Sequence, residues 1–595
     1  MEIVLKEKIR EAVKSIYNSE VTDDLIQIQE TRKDFKGDFT LVVFPLLRFS
    51  KNTPENTGET IGNYLIDKFP AVSRYNVIKG FLNLEISDGW WVEFFKKIAS
   101  EENHLENCQV SNPETILVEY SSPNTNKPLH LGHIRNNLLG YSLYRILSGC
   151  GHRVIKTNIV NDRGIHICKS MLAWQKFGNG ETPKSSKMKG DHLVGNYYVL
   201  FEKEYNAQIK ELVNSGMDEV EAKNSAPLMK EVRDMLIKWE TGDKEVIDLW
   251  KKMNSWVYRG FKRTYEKLGV DFDKVYYESK TYLSGKSQVL KFLKNGILYE
   301  KEDGSIWADL TKEGLDQKLL LRGDSTAVYM TQDIGTAILR YKKYEFNKCI
   351  YVVGNEQNYH FQVLKALLKR MGYKWADGLI HFSYGMVELP EGRMKSREGT
   401  IVDADNLIKE MKLTAKEVSL ELGKLSDFSI KEKNDIFRKI GMGALKYYIL
   451  KVDPRKNMTF NPAESIDFNG NTGPFIQYTY TRIKSVFRKA DQMGINTEQI
   501  HFSGTKTGQK EIELIKLLRK FSETVSAAAT GYSPALIANY CYELSREYNQ
   551  FYHDFSILGE DDEEIRNFRL ILSRVTSEII HTGMWLLGIE MPERM

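Results

Sequence analysis

The sequence is poor in cysteine and proline. It has 5 cysteines and 14 prolines in 595 residues, and no two cysteines form a C-x-x-C pair. Scattered cysteines argue against a disulfide scaffold and against a zinc site built from thiolates. Because proline is scarce and low-complexity tracts are absent, extensive disorder is not expected. The cysteines are Cys108, Cys150, Cys168, Cys349 and Cys541.

Long hydrophobic runs are also absent. The sequence has no stretch of about 18 apolar residues, so it offers no candidate for a membrane-spanning helix. The first segment, MEIVLKEKIREAVKSIY, mixes charged and apolar residues at helical spacing and lacks the apolar stretch of a signal peptide. We therefore expect a cytoplasmic protein.

A strong charge of one sign is missing as well. The net charge is +4, although 28% of the residues are charged. A protein that coats nucleic acid would be more basic, whereas an enzyme that touches RNA on one face needs only local basic patches. The charge therefore permits RNA binding without requiring it. The length predicts about two to four domains.

The pattern of apolar residues divides the chain into three parts. Residues 1–108 predict a small α/β domain. Residues 109–430 alternate strand patterns such as TILVEY, RVIKTNIV and KCIYVVG with helical patterns, which predicts an α/β fold with a doubly wound, Rossmann-like parallel sheet. A charged helical insertion at about 185–265 interrupts this alternation. Residues 431–595 have helical spacing and predict an all-helical C-terminal domain.

The segment PLHLGH (128–133) carries the first chemical signal. It falls between a strand pattern and a helix pattern, where backbone N–H groups and the helix dipole favour a phosphate. His130 and His133 could hydrogen-bond an α-phosphate, and Gly132 would let a flat base approach the backbone. The same histidines could simply cap the helix, and the motif alone does not decide between the two interpretations.

A basic segment bounded by glycines, GRMKSREG (392–399), carries the second signal. Such a loop could close over a polyphosphate, with Lys395 and the flanking arginines holding the pyrophosphate. The alternative is a charged loop that is merely solvated.

Together the two motifs resemble those of class I aminoacyl-tRNA synthetases, which carry H-x-G-H after the first strand and K-M-S-K-S after the last. The chain is most similar to the arginyl-tRNA synthetase family, over nearly its whole length. The matching segments are VEYSSPNTNKPLHLGHIRNN (118–137), TNIVNDRGIHI (157–167), YMTQDIGTAILRY (329–341), FNGNTGPFIQYTYTRIKSVFRKA (468–490) and the closing MPERM. The second motif departs from the family, because Arg393 replaces the first Lys, Lys395 the first Ser and Ser396 the second Lys.

The resemblance implies a site for each small substrate. Arginine presents a planar, charged fork of donors, so its pocket needs carboxylates and oxygen acceptors. The family pattern puts the arginine contacts on Glu119, Asn124, Tyr329, Asp333 and Gln357. It puts ATP contacts on His130, Gly132 and His133 of the first motif and on Arg393, Met394, Lys395 and Ser396 of the second. Lys127 and His360 are further ATP candidates because of their positions beside these segments, although Lys127 could equally be a surface charge and His360 a structural histidine. The implied catalytic residues are His130, His133 and Lys395. Alternatively, Asp333 caps its helix and Glu119 is a surface charge.

The implied reaction joins L-arginine to its tRNA in two steps. Arginyl-adenylate forms from ATP with release of pyrophosphate, and transfer to tRNA then releases AMP. Mg²⁺ would arrive with ATP, and no protein-bound zinc or other metal is expected. Members of this family commonly need bound tRNA before they activate arginine, and we expect the same of this chain. A monomer is the expected state.

The resemblance also implies that the C-terminal domain reads the anticodon. Unpaired bases stack on aromatic rings and phosphates meet basic groups, although tyrosines in helical bundles are often core residues. The candidates are Tyr478, Tyr480, Arg482 and Lys484. The N-terminal domain is similar to the family's module for the outer corner of the tRNA.

Three other functions stay open at this stage. The chain could be a synthetase for another amino acid, but it lacks zinc-ligand cysteines and a large editing insertion. It could be a nucleotidylyl transferase that never meets tRNA, but such an enzyme would not need the helical domain. It could be an inactive tRNA-binding paralogue, against which the intact His130-x-Gly132-His133 argues.

Overall fold

A computed structural model of the chain describes residues 1–324, 326–390, 402–421, 428–497, 502 and 507–595. The chain forms two compact units. The first consists of Met1–His104, Val486–Lys520 and Arg546–Glu578, and the second of Leu105–Ser485, Phe521–Ser545 and Ile579–Met595. Among the described residues, none of the helices is both long and apolar enough to cross a membrane.

Strands are concentrated before residue 390, and helices occur throughout. The strands are β1 (Gln27–Glu30), β2 (Phe39–Val42), β3 (Val72–Ile78), β4 (Phe81–Ile86), β5 (Thr115–Glu119), β6 (Arg153–Val160), β7 (Lys274–Tyr277), β8 (Tyr299–Glu300), β9 (Ile306–Ala308), β10 (Lys318–Leu321), β11 (Lys348–Gly354), β12 (Leu379–Tyr384), β13 (Val387–Glu388) and β14 (Met458–Thr459). The α-helices are α1 (Glu2–Tyr17), α2 (Leu47–Ser50), α3 (Pro54–Lys68), α4 (Asp88–Ala99), α5 (Leu131–Gly149), α6 (Ile165–Phe177), α7 (Gly190–Asn214), α8 (Glu219–Ser225), α9 (Pro227–Thr241), α10 (Lys244–Leu268), α11 (Glu278–Lys294), α12 (Tyr329–Tyr344), α13 (Asn358–Arg370), α14 (Ala404–Glu421), α15 (Ile430–Leu450), α16 (Pro462–Ser465), α17 (Gly473–Gln492), α18 (Gln509–Thr530), α19 (Pro534–Asp554) and α20 (Glu563–Leu586).

The first unit contains an antiparallel sheet of four strands in the order β1-β2-β4-β3. Strands β3 and β4 form a hairpin, and its turn residues Lys79 and Gly80 have φ angles of 49° and 78°. In the helical part of this unit, Arg569 of α20 pairs with Glu511 of α18 at 2.7 Å, and both side chains are buried. The first 104 residues thus combine helices and strands, as their sequence pattern predicts.

The second unit is built on a parallel sheet of five strands in the order β12-β11-β5-β6-β7. Residues Ile116, Leu117 and Val118 of the central strand are almost completely buried, because helices cover both faces of the sheet. Strand β6 lies on one side of the central strand β5, and β11, which comes later in the chain, lies on the other side of β5. This confirms the predicted α/β fold, and ligands of such folds bind where the strand order reverses, at the carboxyl ends of the strands.

Helices α7, α8, α9 and α10 all lie between β6 and β7, in the region where the helical insertion was predicted. The sequence pattern did not predict the small antiparallel sheet β10-β9-β8 that follows α11. Its buried residues Ile306, Ala308 and Leu320 belong to one apolar cluster with Ile334 and Ile338 of α12. The sheet therefore packs against the helix that carries two of the predicted arginine contacts.

The C-terminal part is helical, as predicted. Helix α15 begins with a capping box, in which the Ser429 side chain accepts from the Glu432 N–H and the Glu432 carboxylate accepts from the Ser429 N–H. One limit between the two compact units lies between residues 485 and 486, inside α17. The compact units therefore do not coincide with the predicted domains 1–108, 109–430 and 431–595, and these domain limits stay a prediction.

Candidate active site

A cavity of about 350 Å³ lies at the carboxyl ends of β5, β11 and β12. This is the edge of the sheet where the strand order reverses. The lining residues are Ser122, Lys127, His130, Gly132, His133, Asn136, Val352, Val353, Gly354, Glu356, Tyr384, Met386 and Val387. Four of the residues predicted to bind ATP, from Lys127 to His133, therefore lie around one cavity.

The two histidines of the first motif cap α5. The Nδ1 atom of His130 accepts a hydrogen bond from the Gly132 N–H at 3.2 Å, and His133 Nδ1 accepts from the His130 N–H at 3.2 Å. The ring centroids are 4.0 Å apart. The capping interpretation of the motif is therefore correct, and it does not exclude the phosphate-binding one, because capping uses Nδ1 alone.

Burial sets the charge of the two rings, and capping sets which ring nitrogen carries the proton. Burial, together with the nearby Lys127 ammonium, lowers the pKa of His130 to about 3. Burial, followed by the neighbouring His130 and Lys127, lowers the pKa of His133 well below its ordinary value. Both rings are thus neutral near pH 7, and because each Nδ1 accepts a backbone N–H, the proton resides on Nε2. Each ring can donate this Nε2–H to an anionic oxygen in the cavity.

Gly132 is required by the position of the His130 ring. A Cβ atom at residue 132 would lie 3.0 Å from His130 Cε1, tighter than ordinary contacts. An alanine at this position would require the imidazole to move by a few tenths of an ångström. Gly132 therefore leaves room for the His130 ring and also keeps this part of the cavity open.

Helix α12 presents the predicted guanidinium ligand. Tyr329 and Asp333 lie one turn apart at the start of the helix, with Tyr329 71% exposed. The Asp333 Oδ2 atom lies 2.6 Å from His360 Nε2 of α13. Asp333 does not cap its helix, because it is the fifth residue of α12 and the N-cap is Val328. His360, which was predicted to contact ATP, is a direct partner of the predicted arginine ligand, and its contact with ATP stays a prediction.

Glu119 ends the central strand β5 and is buried beside Arg340 of α12. The Arg340 Nη2 atom contacts Glu119 Oε2, and the guanidinium lies 4.8 Å from the centroid of the Tyr276 ring. Burial raises the pKa of Glu119, and the charge of Arg340 opposes that rise. The alternative that Glu119 is a surface charge is therefore wrong, because its side chain is 7% exposed.

Glu278 is a site residue that the sequence did not reveal. It is the first residue of α11, directly after β7, and it is buried. Burial raises its pKa to about 7, and its charge interacts with Asp333 and with Tyr329. The sequence signal that could have identified Glu278 was its position at the carboxyl end of a parallel strand, on the same edge of the sheet as Glu119. Two carboxylates, those of Glu278 and Asp333, thus lie near the start of α12, whereas Glu119 pairs with Arg340 in the second half of that helix.

The remaining predicted arginine ligands lie on loops at the same edge. Asn124 follows β5, is exposed, and pairs with Asn161 in an isolated parallel bridge. Gln357 follows β11, is exposed, and immediately precedes α13. Their roles stay predictions, as do those of Arg393, Met394, Lys395 and Ser396, which lie outside the described residues.

The four predicted anticodon contacts do not share one environment. Tyr480 is 4% exposed, and its hydroxyl donates to Glu593 at 3.1 Å. A buried ring cannot stack on an RNA base, so Tyr480 has the core role that was the alternative for these tyrosines. Lys484 lies 3.7 Å from the same carboxylate, and the guanidinium of Arg482 lies 5.0 Å from the centroid of the Tyr478 ring. The other three contacts stay predictions.

One group of side chains has the composition of a metal site. The ligand atoms of Asp191, His192 and Asp405 all lie within 4.8 Å of one another. The Lys189 ammonium, however, lies 2.9 Å from Asp191 Oδ2 and 2.5 Å from Asp405 Oδ2. A resident cation therefore already balances the two carboxylates, and the group is an ion-pair cluster.

Comparison with known families gives two matches. Residues 95–461 match the family model described as tRNA synthetases class I (R), catalytic domain. Residues 476–595 match the DALR anticodon binding domain. Together the two models cover the catalytic and helical parts of the chain.

Similar proteins cover the whole chain. An arginine–tRNA ligase of Bacteroides thetaiotaomicron is 60% identical over 584 residues, 98% of each chain. That of Flavobacterium psychrophilum is 52% identical over 603 residues, which is 100% of this chain and 99% of the other. Among solved structures, the Thermus thermophilus arginyl-tRNA synthetase covers 100% of both chains with a TM-score of 0.78 and 23% identity, and so shares the fold.

Proposed function

Because the chain belongs to the arginyl-tRNA synthetase family, we propose that its cavity and the neighbouring carboxylates form the active site of an arginine–tRNA ligase. The single observation that carries this assignment is the site's division into two parts. One part offers neutral donors, His130 and His133, for a phosphate. The other offers buried or half-buried carboxylates for a cation.

The carboxylates suit arginine better than lysine. A guanidinium presents several N–H groups in one plane, and Asp333 on α12 and Glu278 at the start of α11 offer carboxylates from two different elements. Asp333 and Glu278 bind the guanidinium, while Tyr329 and Gln357 complete the pocket. Asn124 holds the α-amino end, near Glu119. The compact ammonium of lysine would meet fewer of these acceptors and leave a buried carboxylate without a partner.

His130 and His133 act on ATP. Their Nε2–H groups donate to the α-phosphate oxygens, where negative charge builds up as the arginine carboxylate attacks in line. The bond from the α-phosphorus to the bridging oxygen breaks, and pyrophosphate leaves with its electron pair. The low pKa keeps each ring neutral at physiological pH, and because Nδ1 accepts a backbone N–H, Nε2 keeps the proton that it donates. Lys127 supports the same phosphate.

The second step transfers arginine to tRNA. A terminal ribose hydroxyl of the tRNA attacks the adenylate carbonyl, and AMP leaves. Positioning and charge stabilisation account for both steps, with no covalent enzyme intermediate. Lys395, with Arg393, Met394 and Ser396, holds the pyrophosphate, and Mg²⁺ comes with ATP. No zinc takes part.

The wider assignments follow from the same family. Residues 1–108 contact the outer corner of the tRNA, residues 109–430 carry catalysis, and residues 431–595 read the anticodon. Tyr478, Arg482 and Lys484 belong to the anticodon surface. The protein works as a cytoplasmic monomer.

The test is aminoacylation of a purified arginine-accepting tRNA with labelled arginine and ATP, with lysine present as a competitor. Charging that persists in excess lysine is the expected result. Charging by lysine, or an absence of charging with any amino acid, would overturn the assignment, and the second outcome would favour the inactive tRNA-binding paralogue.

A further inference from the structure

The ion-pair cluster around Asp405 connects the helical insertion to the start of α14. Asp405 Oδ2 lies 2.5 Å from Lys189 Nζ and 3.4 Å from His192 Nε2, and Oδ1 lies 2.7 Å from Lys267 Nζ. Lys189 and His192 lie at the start of α7, and Lys267 lies at the end of α10. One carboxylate thus joins three cationic groups from two helices.

The residues just before Asp405 pair with the turn that carries His130. The Leu131 N–H donates to the Val402 carbonyl at 3.1 Å, and the Ala404 N–H donates to the Leu129 carbonyl at 2.9 Å. His130 and Asp403 are therefore opposite each other in an isolated antiparallel bridge. The backbone on either side of His130 is held by the segment that Asp405 anchors.

Most groups of this anchor are buried, and they are paired with one another. The side chains of Lys189, Asp191 and Asp405 are 14%, 0% and 13% exposed. Burial opposes ionisation of Asp405, but hydrogen bonds from His192, Lys189 and Lys267 outweigh it and lower its pKa. His192 also lies 3.3 Å from Asp403 Oδ2, so it faces both carboxylates of the segment. A network of this kind holds its members in one geometry.

We propose that Asp405 is a positioning residue for adenylate formation, which holds His130 in place through the backbone of Val402, Asp403 and Ala404. Asp405 does not touch a substrate. Its effect reaches ATP through His130, and the inference therefore rests on the proposed role of His130 at the α-phosphate.

The test is a double-mutant cycle in ATP–pyrophosphate exchange, measured over a range of arginine concentrations and with tRNA present throughout. Asp405→Asn keeps the size of the side chain and removes its charge. In the otherwise native chain it should lower kcat by about tenfold, with KM for arginine unchanged, since only the orientation of a transition-state donor is lost. In a His130→Ala background the same change should have little further effect, because the group that Asp405 positions is already gone.

Asp435→Asn is the matched control. Asp435 forms exposed ion pairs with Arg438 and Lys439 on α15, and its loss should leave exchange unchanged. Circular dichroism checks that each variant is folded. Should Asp405→Asn not fold, His192→Gln and Lys267→Met, which each remove one partner, take its place in the cycle.

Two results would overturn the inference. One is an equal loss in the native and His130→Ala backgrounds, which would mean that Asp405 acts on general stability. The other is unchanged exchange in a folded Asp405→Asn variant. An absence of exchange in the native enzyme is distinguishable from both, because it would overturn the proposed function itself.

Discussion

At the scale of single residues, the proposed role of Glu278 predicts that arginine binding depends on pH. Burial raises this pKa to about 7, so the side chain is half protonated there. A bound guanidinium favours the ionised form, and arginine binding therefore releases a proton. KM for arginine should rise about tenfold between pH 8 and pH 6, because the ionised fraction of such a group falls by that factor.

Glu278→Gln should remove that dependence and raise KM at pH 8. The raised pKa also means that ionisation of Glu278 destabilises the free enzyme as pH rises through 7, so the variant should stay folded at pH 8. Steady-state exchange at several pH values, beside thermal unfolding, measures both effects. A KM in the variant that still rises toward pH 6 would assign the titration to another group.

Part of the site could be predicted residue by residue, and part could not. His130, Gly132 and His133 are neighbours in sequence, so a local motif is enough to place them together. Glu278 comes from a different strand end, and no local pattern separates it from other glutamates at helix starts. The contact between Asp333 and His360 joins residues on α12 and α13, and only the packing of those helices brings it about.

At the scale of elements, the close contact between α11 and α12 brings together the two helices that carry Glu278 and Asp333 of the proposed arginine pocket. A Cβ atom on Gly335 of α12 would lie 2.4 Å from the Gly285 backbone nitrogen of α11. Gly335→Ala must therefore separate the two helices, at a cost of about 1–3 kcal/mol in the free energy of unfolding. The variant should also raise KM for arginine, because Glu278 begins one helix and Asp333 lies on the other.

Gly89→Ala is the control for this change. A Cβ atom on Gly89 of α4 would meet nothing within 4 Å, and alanine favours a helix. Its unfolding midpoint should be unchanged or slightly raised, and its KM for arginine unchanged. Equal stability of Gly335→Ala and the native enzyme would contradict the packing account.

The long, strongly patterned elements were the predictable ones. Strand β6 has the limits of the apolar run RVIKTNIV, and α7 and α10 are 25-residue helices with clear periodicity. The strands β8, β9 and β10 have two to four residues each, too few to show an alternation. They exist because their apolar residues are buried against α12, which is information about tertiary structure.

At the scale of the whole molecule, the family relationship predicts that arginine activation needs tRNA. Exchange of labelled pyrophosphate into ATP should be weak with arginine alone and should rise by about tenfold or more when the matched tRNA is added, because binding completes the site. A tRNA of another specificity is the control. An equal rate with and without tRNA would show that the site is complete in the free enzyme.

The central claim is that the carboxylates around α12 select arginine, and Asp333→Asn tests it most directly. The change keeps shape and removes the charge that the guanidinium meets. We predict that kcat/KM for arginine in aminoacylation falls by about a hundredfold, while KM for ATP is unchanged. If the folded variant charges tRNA with arginine as well as the native enzyme does, Asp333 does not bind the guanidinium and the pocket lies elsewhere.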